Sequence, residues 1–376
     1  MTLFPSYRLA GYQASYGPRA EYFMGASAPE SLSVRELLSL ANQTERRQWD
    51  RLGLGYSSSQ GDPALRDSIA DLYPGLTSAD IITFAGAQEA IFVAYHALLK
   101  KNDRVQVILP IYEPLALVAQ GIGAKIGTVS MENSQAGEWR MDLQTWRESV
   151  HQSTSMAVIN FPHNPTGKLI RHQELEQIVE HCASNDCWLF SDEVFRGLEY
   201  RRSEQLTPVA AIYEKGISLG VMSKAFGLGG VRIGWIACRD KVLIKRMLEI
   251  KSYLSICNGR TDELLATIAL RHAPRLLDNT RKLIQQNLQS LRAACSDHSD
   301  VVHWHQPDAG CVAYPKLTDG VDARDFALRL LDQTGVMIIP GHCFIRGEAH
   351  FRIGFGRRDF PLALKRFSNH LDSFRT

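Results

Sequence analysis

No stretch of this chain stays apolar for the roughly 18 residues that a membrane-spanning helix needs, so no bilayer span is expected. Neither sign of charge is in excess. Lys and Arg number 42 against 40 Asp and Glu, a balance of +2, which excludes the basic footprint of a nucleic-acid or anionic-membrane partner. The opening residues, MTLFPSYRLAGYQ, lack a basic start followed by an apolar core, so no secretory leader is expected. Cysteine is sparse and unpaired in pattern: seven residues, at 182, 187, 238, 257, 295, 311 and 343, sit mostly in apolar surroundings. That odd, scattered set excludes a disulfide framework and predicts reduced, buried thiols in a cytoplasm. Cys182 and Cys187 have no second Cys/His pair to complete a metal site, so no metal is expected. Internal repeats, low-complexity tracts and an obvious linker are also missing.

What is present is an ordinary globular composition, 45% apolar and 22% charged over 376 residues, enough for a large core and two domains. Seven nearly continuous apolar runs read as strands: 80–85, 104–110, 124–130, 156–162, 187–195, 218–224 and 232–238. Such runs suit a sheet covered on both faces. Amphipathic helices lie between several of them; one carries Ile91, Phe92, Tyr95, Leu98 and Leu99 on one face, another Leu175, Ile178, Val179 and Cys182. Alternation of this kind predicts an α/β fold with a mostly parallel seven-stranded sheet flanked by helices. The run at 232–238 follows its predecessor too closely for a crossover and is expected to be antiparallel. Beyond about residue 240 come long helices, then short strands near 310–317, 335–340 and 350–356 and a final helix, a smaller α+β domain. The expected division is 46–265 for the large domain, with 1–45 and 266–376 together forming the small one.

Polar residues cluster where the strands end, which is where open α/β sheets bind ligands. In FAGAQEA (84–90) a glycine opens a helix whose free N–H groups at Ala87 and Gln88 suit a phosphate. NFPHNPTGK (160–168) holds Asn164 on a stiff proline-bounded loop; His163 beside it faces either the substrate or, the preferred reading, solvent. WLFSDEVFRGL (188–198) puts Asp192 at the end of an apolar strand, where a carboxylate needs a partner such as a cationic ring nitrogen. SKAFGLGGVRIG (223–234) sets Lys224 between an apolar run and a glycine-rich loop, with Arg232 able to grip an anion. A desolvated lysine there becomes a nucleophile and base. HFRIGFG (350–356) buries Arg352, which calls for a carboxylate from protein or ligand.

In that order, and together with YSSSQGDPALR (56–66) and PIYEPL (110–115), these segments resemble the class I/II aminotransferases, of pyridoxal 5′-phosphate (PLP) fold type I, over nearly the whole chain. The resemblance implies PLP as cofactor, with Lys224 forming an aldimine with it and then moving the proton through a quinonoid intermediate. Asp192 would pair with the ring nitrogen, Asn164 with the 3′ oxygen, and Tyr112 would stack on the ring. Ala87, Gln88, Ser223 and Arg232 would hold the phosphate, and Arg352 the substrate carboxylate. A tyrosine at the place of Tyr56 reaches the neighbouring subunit's cofactor in this family, which implies a homodimer.

Three positions depart from the family pattern. Phe195 stands where a tyrosine usually donates to the 3′ oxygen, Val221 where a phosphate-binding serine is common, and Phe161 where an asparagine is usual. The implied activity is transamination of an L-amino acid. The alternative is a PLP-dependent cyclase or lyase, in a branch similar to capreomycidine synthase, acting on a hydroxylated amino acid such as a hydroxyarginine. A ligand-sensing regulator built on the same domain is disfavoured, because the first family-like segment begins by residue 56 and leaves no room for a winged helix and linker.

Overall fold

The apolar runs become strands of one sheet in the computed structural model, which describes residues 4–133 and 139–373. The strands are β1 (Ile81–Phe84), β2 (Arg104–Leu109), β3 (Lys125–Asn133), β4 (Trp139–Met141), β5 (Thr154–Asn160), β6 (Trp188–Asp192), β7 (Gly216–Val221) and β8 (Gly234–Cys238), in the order β1-β8-β7-β6-β5-β2-β3-β4. From β3 to β7 every pairing is parallel. β8 runs antiparallel to both β7 and β1, as its short connection requires. The sheet has eight strands rather than seven. The extra one, β4, is three residues long and pairs antiparallel with β3 at the edge, too short to carry a readable alternation.

Helices cover both faces of the central strands, and β6 and β7 are buried almost throughout. Helix Ala87–Leu98 buries Ala90, Ile91, Val93, Ala94 and Tyr95, and begins at Gly86, whose φ of +94° favours glycine. Helix His172–Ser184 buries Leu175, Ile178 and Cys182. It ends in a Schellman turn: Asp186 takes φ +55° and Cys187 N–H donates to the Cys182 carbonyl at 2.9 Å. Both thiols are free and packed in the core, and among the described residues no group of three or more His, Cys, Asp or Glu is placed to hold a metal. Among the same residues no helix is long and apolar enough to cross a membrane.

Past β8 come helices Lys241–Lys251, Arg260–Arg271 and Ala273–Asp297. The last two read as one in sequence. Pro274 separates them, since its ring cannot donate within a helix and suits the first turn of the next. The C-terminal region forms a three-stranded sheet, β10 (Val312–Ala313), β13 (Phe351–Gly354) and β12 (Ile339–Pro340), beside a small pair of β9 (Val302–His303) and β11 (Lys316–Leu317). Residues 22–25 run along this sheet: Gly25 N–H donates to Met337 O at 2.8 Å and Met337 N–H to Tyr22 O at 2.9 Å.

One glycine ties the antiparallel strand to the site. Gly234 pairs with both Phe84 and Val221, and a Cβ there would lie 2.7 Å from Ala87 N. Gly234→Ala should therefore lower stability by about 1–3 kcal/mol through overpacking. The urea midpoint measures this, and an unshifted midpoint would contradict the contact.

Candidate active site

The signals at 84–90, 160–168, 188–198 and 223–234 sit at or just beyond the carboxyl ends of β1, β5, β6 and β7, so the sheet gathers them at one edge, while Arg352 comes from β13 of the small sheet. Lys224 follows β7 and Asp192 ends β6. Lys224 is part-buried; its Nζ donates to Ser27 Oγ at 2.7 Å and lies 5.9 Å from the centre of the Phe195 ring. Desolvation, and then the nearby Arg352 charge, lower its pKa from 10.5 to about 8, against opposing pulls from Cys311 and Asp192. Asp192 is buried and accepts Val194 N–H at 3.2 Å. Desolvation raises its pKa to about 7; the Val194 N–H and Lys224 oppose this and Glu193 adds to it.

Asn164 reaches the same place through its loop. The buried Asn160 at the end of β5 donates from Nδ2 to Asp192 O at 2.9 Å and accepts Asn164 N–H on Oδ1 at 2.9 Å, so one side chain sets both residues. Asn164 Oδ1 accepts Arg352 Nη1–H at 3.0 Å. A guanidinium has donors alone, so the amide oxygen must face it and the Nδ2 donor is left for another acceptor. Arg352 is 1% exposed, and its Nε and Nη2 donate to Gly25 O at 3.2 and 2.8 Å. Its partners here are neutral oxygens and the Phe344 ring, 5.1 Å from Cζ. Burial lowers its pKa to about 10. A buried cation with neutral partners alone is costly, and a carboxylate would offset that cost.

The anion cradle lies at the start of helix Ala87–Leu98. Arg232, itself left-handed at φ +49°, donates from Nη2 to Ala85 O at 3.0 Å and from Nη1 to Gly229 O at 3.2 Å. Its guanidinium lies so close over Gly86 that a Cβ there would collide with it. Ser223 borders the same loop: a Cβ on Gly229 would lie 3.5 Å from its own Cβ. Val221 is a core residue of β7. Tyr112, after β2, accepts a hydrogen bond from Tyr7 hydroxyl at 3.0 Å, and the rings meet edge-on at 82°. Tyr56 joins none of these contacts; it is 86% exposed.

One expectation changes. His163 does not face solvent: it is buried, its Nδ1 pairs with Thr166 Oγ1 at 2.8 Å, and desolvation lowers its pKa to about 3, so it acts as a neutral brace of the loop. Phe195, where the family's tyrosine would donate, sets its ring centre 5.9 Å from Lys224 Nζ. Tyr7, Gly25, Ser27, Asn160 and Cys311 were not anticipated as site residues. Asn160 alone carried a signal, a polar residue closing an apolar strand.

These residues fit PLP. The carboxyl of Asp192 lacks a bonded cation such as a protonated ring nitrogen would supply, Lys224 offers an amine, and Gly86 with Arg232 forms a cradle that a single Cβ would fill. Because the Asp192 pKa is raised, its burial penalises folding of the coenzyme-free protein. The penalty is absent below the unfolded value of 3.8, grows as pH rises, and is complete above about 7. Asp192→Asn should thus raise the melting temperature of coenzyme-free protein at pH 8 and leave it unchanged near pH 3.5. Calorimetry at the two pH values decides it; equal shifts would refute the assigned burial.

Comparison with known proteins places this geometry. The aminotransferase class I and II profile matches residues 29–359. Capreomycidine synthase of Streptomyces vinaceus is 27% identical over 309 residues, covering 82% of this chain and 78% of its own. The structure of a PLP-dependent aminotransferase from Streptococcus suis 89-1591 superposes with a TM-score of 0.92 at 27% identity, covering 100% of this chain and 99% of its own. That of the PLP-dependent cyclase OrfR superposes at 0.90 and 27% identity, covering 98% of both chains. A desolvated lysine opposite a desolvated carboxylate, with an anion cradle and a buried arginine around them, therefore has its explanation in descent: the chain belongs to the class I and II aminotransferases and is a PLP-dependent enzyme.

Proposed function

We propose that this enzyme transfers the amino group of an L-amino acid, with Lys224 as its proton carrier. The observation that carries this reading is the desolvated Lys224 amine, which donates to Ser27 Oγ at 2.7 Å and makes no ion pair with the nearby Asp192. When bound, PLP supplies an aldehyde that condenses with amines and a protonated ring that accepts the electron pair released at the α-carbon. Arg352 holds the substrate carboxylate in its bidentate fork. Lys224 Nζ takes the α-proton and returns it, its basicity held near neutral pH by desolvation. Asp192 would pair its negative charge with the ring nitrogen, Asn164 Nδ2 would serve the 3′ oxygen, and Tyr112 would lie against the ring. Ala87, Gln88, Ser223 and Arg232 would hold the phosphate.

The chain acts in this reading as a cytoplasmic homodimer, with residues 46–265 as the large domain and 1–45 with 266–376 as the small one. Tyr56 reaches the neighbouring subunit's coenzyme phosphate; its exposure, alongside that of Leu54 and Tyr253, supports this. Seven free cysteines suit a reducing compartment.

A second reading is cyclisation or elimination on a hydroxylated amino acid such as a hydroxyarginine. Ser27 Oγ, 2.7 Å from Lys224 Nζ, favours it by putting a second proton-handling group beside the base, and Phe195 brings no hydroxyl of its own. The likeness to capreomycidine synthase and OrfR supports the same reading.

Turnover with and without added 2-oxo acid separates the two. A transaminase stalls after one equivalent when the oxo acid is withheld, whereas a cyclase or lyase continues. Lys224→Ala should abolish turnover in either case; a fully active variant would end both readings. Arg352→Ala should raise KM by roughly 30-fold or more, the expected loss when one partner of a buried charge pair is truncated. Steady-state kinetics with several amino acids checks this, and an unchanged KM would remove Arg352 from the carboxylate site.

A further inference from the structure

The most deeply buried lysine of the chain is not Lys224. Lys251, the last residue of helix Lys241–Lys251, is 0% exposed and, among the described residues, has no carboxylate within ion-pair distance. Its Nζ donates to Ser59 O at 2.6 Å and to Asn258 Oδ1 at 3.3 Å, and lies 5.6 Å from the centre of the Phe84 ring. Desolvation lowers its pKa to about 8, against opposing pulls from Glu89, Glu263 and Cys257. Burying a cation against neutral acceptors is unfavourable unless its donors fix something.

What they fix is the segment Ser57–Asp62. Lys251 holds the middle of it through Ser59. Glu263, also buried, holds both ends: its carboxylate accepts the Ser57 hydroxyl, and Asp62 N–H at 2.9 Å. Thr83 N–H donates to Gln60 O at 3.0 Å, and Thr83 Oγ1 donates to the same Asn258 oxygen that Lys251 uses. The segment is thus bonded at nearly every residue, yet just before it Leu54 and Tyr56 are 82% and 86% exposed. The turn that follows Lys251 is of the same kind. Ile256 is held at φ +63°, a strained value for a β-branched residue, and Tyr253 is 90% exposed. Two rigid segments, joined through one ammonium, both present large side chains outward.

We propose that Lys251 is a positioning residue for the coenzyme site of the neighbouring subunit, locking Ser57–Asp62 onto the turn after its own helix so that Tyr56 is presented across the dimer in a fixed pose. The inference rests on the reading of Tyr56 given above and adds to it the residue on which that reach depends.

Hybrid dimers test it. Two differently tagged copies are co-expressed and purified through both tags, one carrying Lys224→Ala and the other Lys251→Met. The hybrid is titrated with PLP and reduced with borohydride. Only the Lys251→Met subunit can retain the coenzyme covalently, so its intact mass reports occupancy of that one site. The Lys251→Met homodimer should bind PLP roughly tenfold more weakly than wild type, as the loss of a charged hydrogen bond predicts. In the hybrid the same site receives an intact Tyr56 segment from its partner, and affinity should return to the wild-type value.

Tyr56→Phe is carried through both formats as the control. A Tyr56→Phe homodimer with normal affinity, or a weakened one without rescue, sinks the reading of Tyr56 and this inference with it. Rescue of Tyr56→Phe alongside a Lys251→Met protein that binds normally, or stays weak in the hybrid, overturns the role of Lys251 alone. If Lys251→Met does not fold, Glu263→Gln loosens the other end of the segment and should show the same weakening and rescue.

Discussion

The site of this protein depends on the loss of water from two groups of opposite charge. The amine of Lys224 and the carboxylate of Asp192 are both desolvated, and they feel one another without closing into an ion pair. Closed, they would satisfy each other and leave nothing for a ligand. Held apart, the acid stays short of a cation and the amine stays short of a proton, which is the state a protonated heterocycle with an aldehyde would resolve from both sides. Parallel pairing of β6 and β7 sets this spacing, because both residues lie at the carboxyl ends of adjacent strands.

The same logic extends to the substrate side. Arg352 is buried with backbone and amide oxygens as its partners, and Asn164 lends it one. Those acceptors orient the fork without neutralising it, which suits the carboxylate proposed for it. The N-terminal segment supplies much of this wall. Gly25 holds the arginine, Ser27 the lysine, and Tyr7 the ring of Tyr112. Arg8 and Leu9 fasten that segment to the buried carboxylate of Glu113, at 2.7 and 3.0 Å. The beginning of the chain thereby supplies partners to site residues from its middle and its end.

Legibility in the sequence followed locality. Lys224, Asp192 and Arg352 each end or interrupt an apolar run, where a polar group demands a partner whatever the fold around it, and Asn164 stands on a proline-bounded loop just past one. Gly86 and Arg232 were readable as a turn and a cation, while their mutual fit was not, since it depends on β8 running back beside β1. His163 looked like a loop histidine because the neighbouring prolines and glycine mark a turn. That turn is folded inward, and the imidazole is spent on Thr166. Strand β4 escaped notice because three residues show no period.

The sequence by itself settled the alternation of apolar strands and amphipathic helices and the mostly parallel sheet with β8 reversed, and it pointed to polar residues at the strand ends. These follow from side-chain type and spacing within short windows, where burial and hydrogen-bonding demands are already decided. Tertiary structure alone decided which distant groups meet: Ser27 with Lys224, Gly25 with Arg352, Asn160 between Asp192 and Asn164, and Lys251 beneath Ser59. Those contacts join residues far apart in the chain, and their geometry depends on how whole elements pack, which no local pattern encodes.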